Sequence, residues 1–139
     1  MTALELTTKL TTLDHRELAN PPVPGHVMTA LLEIPPGHPG TPPHRHSGPV
    51  FGYLLEGEMI YELEGEAARI IRPGEAFWEP GGDRIHYRAA NNLTDAWTRF
   101  LAVMICVPGQ PMLSMVSPDE LESRRDRRHP GPVLDPKAT

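Results

Sequence analysis

The chain has 139 residues, 13 Lys and Arg against 18 Asp and Glu, a net charge of -5 and a single cysteine. That length suits one domain with its own core, and one cysteine excludes a disulfide framework or a cysteine-rich zinc site. The acidic balance argues against a nucleic-acid partner, and the longest apolar run, Phe100 to Val107, is too short for a membrane-spanning helix.

The first residues, MTALELTTKLTT, have neither a basic start nor an apolar stretch, so no secretory signal is visible and a cytoplasmic location is expected. Leu13 to Leu18 reads as a turn or two of helix capped by Asp14, stopped by the Pro-rich run from Asn20 to Gly25. From Val27 the texture changes to short apolar runs divided by Pro and Gly. Val27–Ile34, Val50–Leu55, Met59–Leu63, Arg69–Arg72, Ala76–Trp78, Ile85–Ala89 and Trp97–Val107 read as strands. Strands this close together, joined by tight turns, imply an antiparallel sandwich or barrel rather than βαβ units. After Gly109 the apolar density falls. Ser117-Pro118-Asp119-Glu120 has the pattern of a helix start, with a Ser cap, Pro at the first position and Glu at the third. The arginines from Arg124 to Arg128 are expected near the end of that helix, where cations suit its dipole. The chain thus divides into an N-terminal arm (1–26), a barrel (27–108) and a C-terminal extension (109–139).

The chemically informative segment is His44-Arg45-His46. On an extended strand, alternate side chains share a face, so both imidazoles project together from positions about 7 Å apart along the backbone. That arrangement suits two ligands of one metal ion, although an H-x-H pair alone is a weak signal.

The pair lies in the run from Gly37 to Glu58, which resembles the first motif of the cupin superfamily, G-x5-H-x-H-x3,4-E-x6-G. Gly74 to His86 resembles the second motif, G-x5-P-x-G-x2-H-x3-N, with one extra residue between Gly82 and His86 and another between His86 and Asn91. In the first motif, Val50 occupies the slot of the metal-binding glutamate.

The resemblance implies an all-β fold, a cupin-type jelly-roll barrel of antiparallel strands with an N-terminal arm and a short C-terminal helix or tail. It implies His44, His46 and His86 as ligands, with no carboxylate, for one divalent transition metal. Iron(II) is the leading choice, with zinc, nickel or copper as alternatives. Met59, Tyr61, Phe77 and Trp97 are expected to line a substrate pocket. Tyr61 and Arg88 are the expected catalytic groups, since Arg88 shares His86's face on a regular strand. Glu79, beside the Pro80 turn, is a candidate base but reads rather as facing solvent. The function implied is a metal-dependent enzyme acting on a small, largely apolar molecule, with a dioxygenase favoured. A metal-free cyclase or isomerase, or a non-catalytic binding barrel, are the alternatives. The expected partners are a small-molecule substrate and a second copy of the chain, with no nucleic acid and no membrane.

Overall fold

A computed structural model describes residues 11, 12, 15 and 25–137. Within them the chain forms β1 (His26–Ile34), β2 (His44–His46), β3 (Val50–Glu56), β4 (Met59–Leu63), β5 (Arg69–Ile71), β6 (Ala76–Glu79), β7 (His86–Asn91), β8 (Thr98–Cys106) and β9 (Leu113–Met115). A short helix, α1 (Pro118–Ser123), and one 3-10 turn (Arg125–Arg127) follow. Every ladder between the strands is antiparallel. One sheet has the order β1-β8-β3-β6 and the other β5-β4-β7-β2-β9, so the chain passes repeatedly from sheet to sheet. This is a jelly roll, the all-β architecture expected.

The core lies between the two inner faces. β8 alternates strictly, burying Thr98, Phe100, Ala102, Met104 and Cys106, as a strand wet on one side must. Val50 and Leu54 of β3, Phe77 of β6 and Met59 and Tyr61 of β4 meet them from the other strands. Removing each such side chain from water contributes about 1.5–3 kcal/mol. Gly52 belongs to the same packing: the Phe77 ring lies over it, and a Cβ there would come within 2.0 Å of the ring. β4 is buried on both faces, because the arginines after α1 cover its outer side; Arg128 pairs with Glu62 there at 2.7 and 2.8 Å.

Strand positions follow the Pro/Gly punctuation to within two residues at each end. The short helix also starts as its sequence predicts, with the Ser117 hydroxyl accepting from the Glu120 amide. It ends at Ser123, however, so the arginine run lies beyond it and not in its last turn. The segment after Gly109, expected to be an extension, contributes β9 to the second sheet, pairing with β2. The helix expected over 13–18, and most of the N-terminal arm, fall outside the described residues. Among the described residues no helix is long and apolar enough to cross a membrane.

Candidate metal centre

β2 is only three residues long and runs between β7 and β9. His44 and His46 occupy alternate positions on it and point the same way, their ring centroids 4.9 Å apart. His86 is the Cα partner of His44 on β7, and cross-strand partners share a face. Its ring centroid lies 5.0 Å from that of His44. Backbone carbonyls set the orientation of the first two rings. His44 Nδ1 lies 2.8 Å from the Pro42 carbonyl oxygen and His46 Nδ1 lies 3.0 Å from that of Met112. Each imidazole thereby turns its Nε2 inward, which is how second-sphere partners prepare a histidine ligand.

The structure adds a carboxylate to this set. Glu79, at the end of β6, is 6% exposed, and its Oε1 lies 2.8 Å from His86 Nδ1 and 3.6 Å from His46 Nε2. Beside the expected ligands His44, His46 and His86 the structure thus places a carboxylate that the sequence reading did not include among them. The donor atoms of His44, His46 and Glu79 lie within 4.8 Å of one another, with His86 against Glu79. Glu79 also does not face solvent. Its inward direction is fixed by register, because it is the Cα partner of the buried Val50 on β3. The turn that follows holds it close: Gly82 N donates to the His46 carbonyl at 2.7 Å. Gly81 packs there at φ 77 so tightly that a Cβ would lie 2.2 Å from the Gly48 oxygen.

The charges fit a cation. Burial, then the neighbouring His86, lowers the His44 pKa to about 4, so this imidazole is neutral and ready to ligate at physiological pH. Burial pushes the Glu79 carboxyl up, but the three imidazoles, His86 foremost, outweigh it and hold the group below its ordinary value, ionised. His86 Nε2 is buried without a hydrogen-bond partner among the described residues, while its Nδ1 meets Glu79 Oε1 at 2.8 Å. An orphaned buried imidazole beside an anionic carboxylate is costly on its own, and a divalent ion would satisfy both. Two imidazoles and one carboxylate, with a third imidazole adjacent, suit iron(II), zinc or another transition metal better than magnesium or calcium.

The cluster opens onto a cavity of about 460 Å³. Met59 and Phe77 line it, as the sequence predicts. Tyr61 does not. Its ring sits behind His86, at 4.8 Å, and its hydroxyl donates to the Trp78 carbonyl; burial pushes that hydroxyl's pKa well up. It packs against the His86 ring and is not among the residues that line the cavity. Trp97 is 43% exposed outside the barrel beside Arg99, because β8 begins only at Thr98, whose side chain takes the inward position.

Arg88 is also displaced from its expected face. The β4–β7 ladder pairs Leu63 with His86 and Glu62 with Arg88, so Tyr87 is an extra residue, a β-bulge. The bulge inverts the alternation and turns Arg88 to the outer side, where its Nη1 donates to the Leu134 carbonyl. On that side Tyr87 packs with Ile85 and Val116 under the Arg128 guanidinium. Missed by sequence reasoning were Glu79 and the two β9 residues Leu113 and Met115, which also line the cavity. The alternation Leu113-Ser114-Met115 was the one local signal for the latter.

A small jelly roll that gathers three histidines and a carboxylate on its inner face, beside a largely apolar cavity, carries a candidate metal site. The chain belongs to the cupin family: the family model described as Cupin domain matches residues 30–104. Among solved structures it is similar to a DMSP lyase from Ruegeria pomeroyi, with a TM-score of 0.54 and 20% identity over 67% of this chain and 44% of that one. It is also similar to an oxalate oxidase in complex with glycolate, with a TM-score of 0.52 and 18% identity over 71% and 56% of the two chains. A cupin-like protein from Thermotoga maritima gives 0.52 and 18% over 76% and 75%. The chain spans about half the length of the lyase and of the oxidase, and likenesses at this identity show the fold alone. No curated protein sequence matches the chain.

Proposed function

We propose that the protein is a metal-dependent enzyme acting on a small, largely apolar molecule, with iron(II) as its metal and oxidation by dioxygen as its chemistry. The observation that carries this reading is Glu79. It converts a set of histidines into two imidazoles and a carboxylate, His44, His46 and Glu79, gathered at one end of an apolar cavity. Two histidines and one carboxylate with open positions are the ligand pattern of non-haem iron oxygenases. A bound transition metal supplies a Lewis acid and, if iron, a redox centre. The chain's own contributions are separate. Glu79 offsets part of the ion's charge, the Pro42 and Met112 carbonyls hold His44 and His46 in place, and the thioethers and rings of the wall exclude water. His86, backed by Tyr61, is within reach to hold or pass a proton beside Glu79.

Elemental mass spectrometry on freshly purified protein, beside Glu79→Gln and His44→Ala variants, tests this. Close to one iron per chain, lost in both variants, is expected, with dioxygen uptake when a substrate is supplied. Full turnover after chelation, and in His44→Ala, would overturn it. One observation favours a second reading: the 2.8 Å contact of Glu79 with His86 is also a metal-free acid–base pair. That reading requires activity to survive chelation and to fall with Glu79→Gln.

A further inference from the structure

The two sheets differ on their outer sides. The second is covered, since the arginines after α1 lie over β4 and bury it on both faces. The first, β1-β8-β3-β6, is bare among the described residues. Its β8 alternates, so Arg99, Leu101, Val103 and Ile105 point away from the core. Cross-strand partners share a face, and the ladders extend each of these positions into a row. Leu101 stands between Leu31 of β1 and Tyr53 of β3. Val103 stands between Thr29 and Phe51, and Phe51 pairs on with Trp78 of β6, the two rings 5.7 Å apart. Val27 pairs with Ile105 in the next row.

These three rows hold no charged residue. The charges of the face are gathered in one row at its end, where Arg99 is the partner of Glu33 and of Glu56 and donates to both carboxylates. Val27 is 64% exposed and Leu31 54%, with Tyr53 and Leu101 exposed beside them. Single exposed leucines are ordinary, but a contiguous apolar patch across four strands marks a contact surface. β1 is also an edge strand, and from Val27 to Leu32 it has neither charge nor proline to blunt that edge.

The extent of the patch suits a partner protein. Strands about 4.8 Å apart, rising about 3.3 Å per residue, give four strands of about eight residues a face on the order of 500 Å². Two such faces together bury about 1,000 Å², where specific interfaces begin.

We infer that this face is where two copies of the chain pack, sheet against sheet, about a two-fold axis. Sheets pack face to face in near alignment when their twists match, and a second copy matches by construction. An uncharged centre with an aromatic pair, and a neutralised charge row at the rim, is the anatomy of a protein interface. An anionic membrane surface fits poorly, given a net charge of -5 and Glu33 and Glu56 at the rim. The inner faces of the same strands carry Val50, Phe100, Ala102 and Met104 into the cavity wall, so the partner backs that wall from outside. None of this depends on what the cavity binds.

Light scattering on a sizing column, and sedimentation velocity over a micromolar dilution series, test this on the full chain. Twice the mass of one chain is expected. Leu101→Arg, near the middle of the face, and Leu31→Arg, on the edge strand, each put a charge into the apolar rows and are expected to weaken the dimer at least tenfold. Both positions are exposed, and far-ultraviolet circular dichroism checks that the two variants fold. Val133→Arg, at an exposed position near Glu62 of the second sheet, is expected to stay dimeric. A monomer at every concentration would overturn the inference and leave residues 1–24 of the same chain as the cover. A dimer that survives both arginine substitutions at residues 31 and 101, or one lost equally in Val133→Arg, would overturn it as well.

Discussion

Val50 and Glu79 face each other as Cα partners across the β3–β6 pair, both buried and both lining the cavity. Val50 occupies the chain position where the cupin motif carries its metal-binding glutamate. The carboxylate is present all the same, one strand over. Partners in an antiparallel ladder share a face with Cβ atoms about 4.5–5.5 Å apart, so a side chain from either strand can serve the same space.

This relationship predicts the outcome of an exchange. Glu79→Val alone is expected to weaken metal binding at least a hundredfold, since it removes a donor itself, where loss of an outer partner costs about tenfold to a hundredfold. Val50→Glu combined with Glu79→Val is expected to recover at least half the metal content. Elemental analysis after dialysis against a weak chelator reads both.

The His44 pKa sets a pH dependence. Its folded value, about 4, lies below the ordinary 6.5, so between these limits the unfolded chain binds a proton that the folded chain refuses. Stability of the metal-free protein therefore falls as pH drops from 6.5 to 4, by on the order of 3 kcal/mol from this residue. Urea denaturation in chelator at pH 7 and pH 4.5 is expected to show a smaller loss in His44→Gln than in the parent.

The fold was legible because its signals are local. Pro and Gly mark each turn, period-two apolar runs mark each strand, and His44 and His46 declare a shared face two residues apart. Glu79 was not legible, because its direction depends on pairing with a residue almost thirty positions earlier. Arg88 was misplaced for a related reason. The two one-residue departures in the second motif flank His86, and the bulge at Tyr87 absorbs the second of them. His86 still faces the cavity, and Asn91 still reaches its place, where its Nδ2 donates to the Ile34, Pro35 and Ala96 carbonyls. A bulge restores by shape what an insertion changes in count.

The arginine run after α1 is structural. Arg124, 8% exposed, donates to the Glu64 carboxylate, to Asp83 and to Glu120, and Glu120 in turn receives Arg45, the residue between the two histidines of β2. Arg124→Met leaves Glu64 buried with its charge unpaired and is expected to destabilise the fold by about 3 kcal/mol. Adding Glu64→Leu is expected to restore most of it. Urea midpoints of the two variants decide this; equal loss in the double variant would show that the ion pair is not the cause.

Gly52 is a tight point of the packing behind the cavity. Gly52→Ala puts a methyl carbon within 2.0 Å of the Phe77 ring as it now lies, so the ring must swing toward the cavity. A loss of about 1–3 kcal/mol is expected, the usual cost of overpacking. Thermal unfolding of the variant beside the parent checks this.

β9 has a consequence for kinship. It lies beyond the residues that carry the family likeness, yet it walls the cavity beside His44 and His46. The histidine–carboxylate cluster and this wall thus come from separate stretches of one chain and can be inherited independently. A graft of residues 109–117 between two such barrels would exchange one wall of the cavity while leaving the histidines and Glu79 in place.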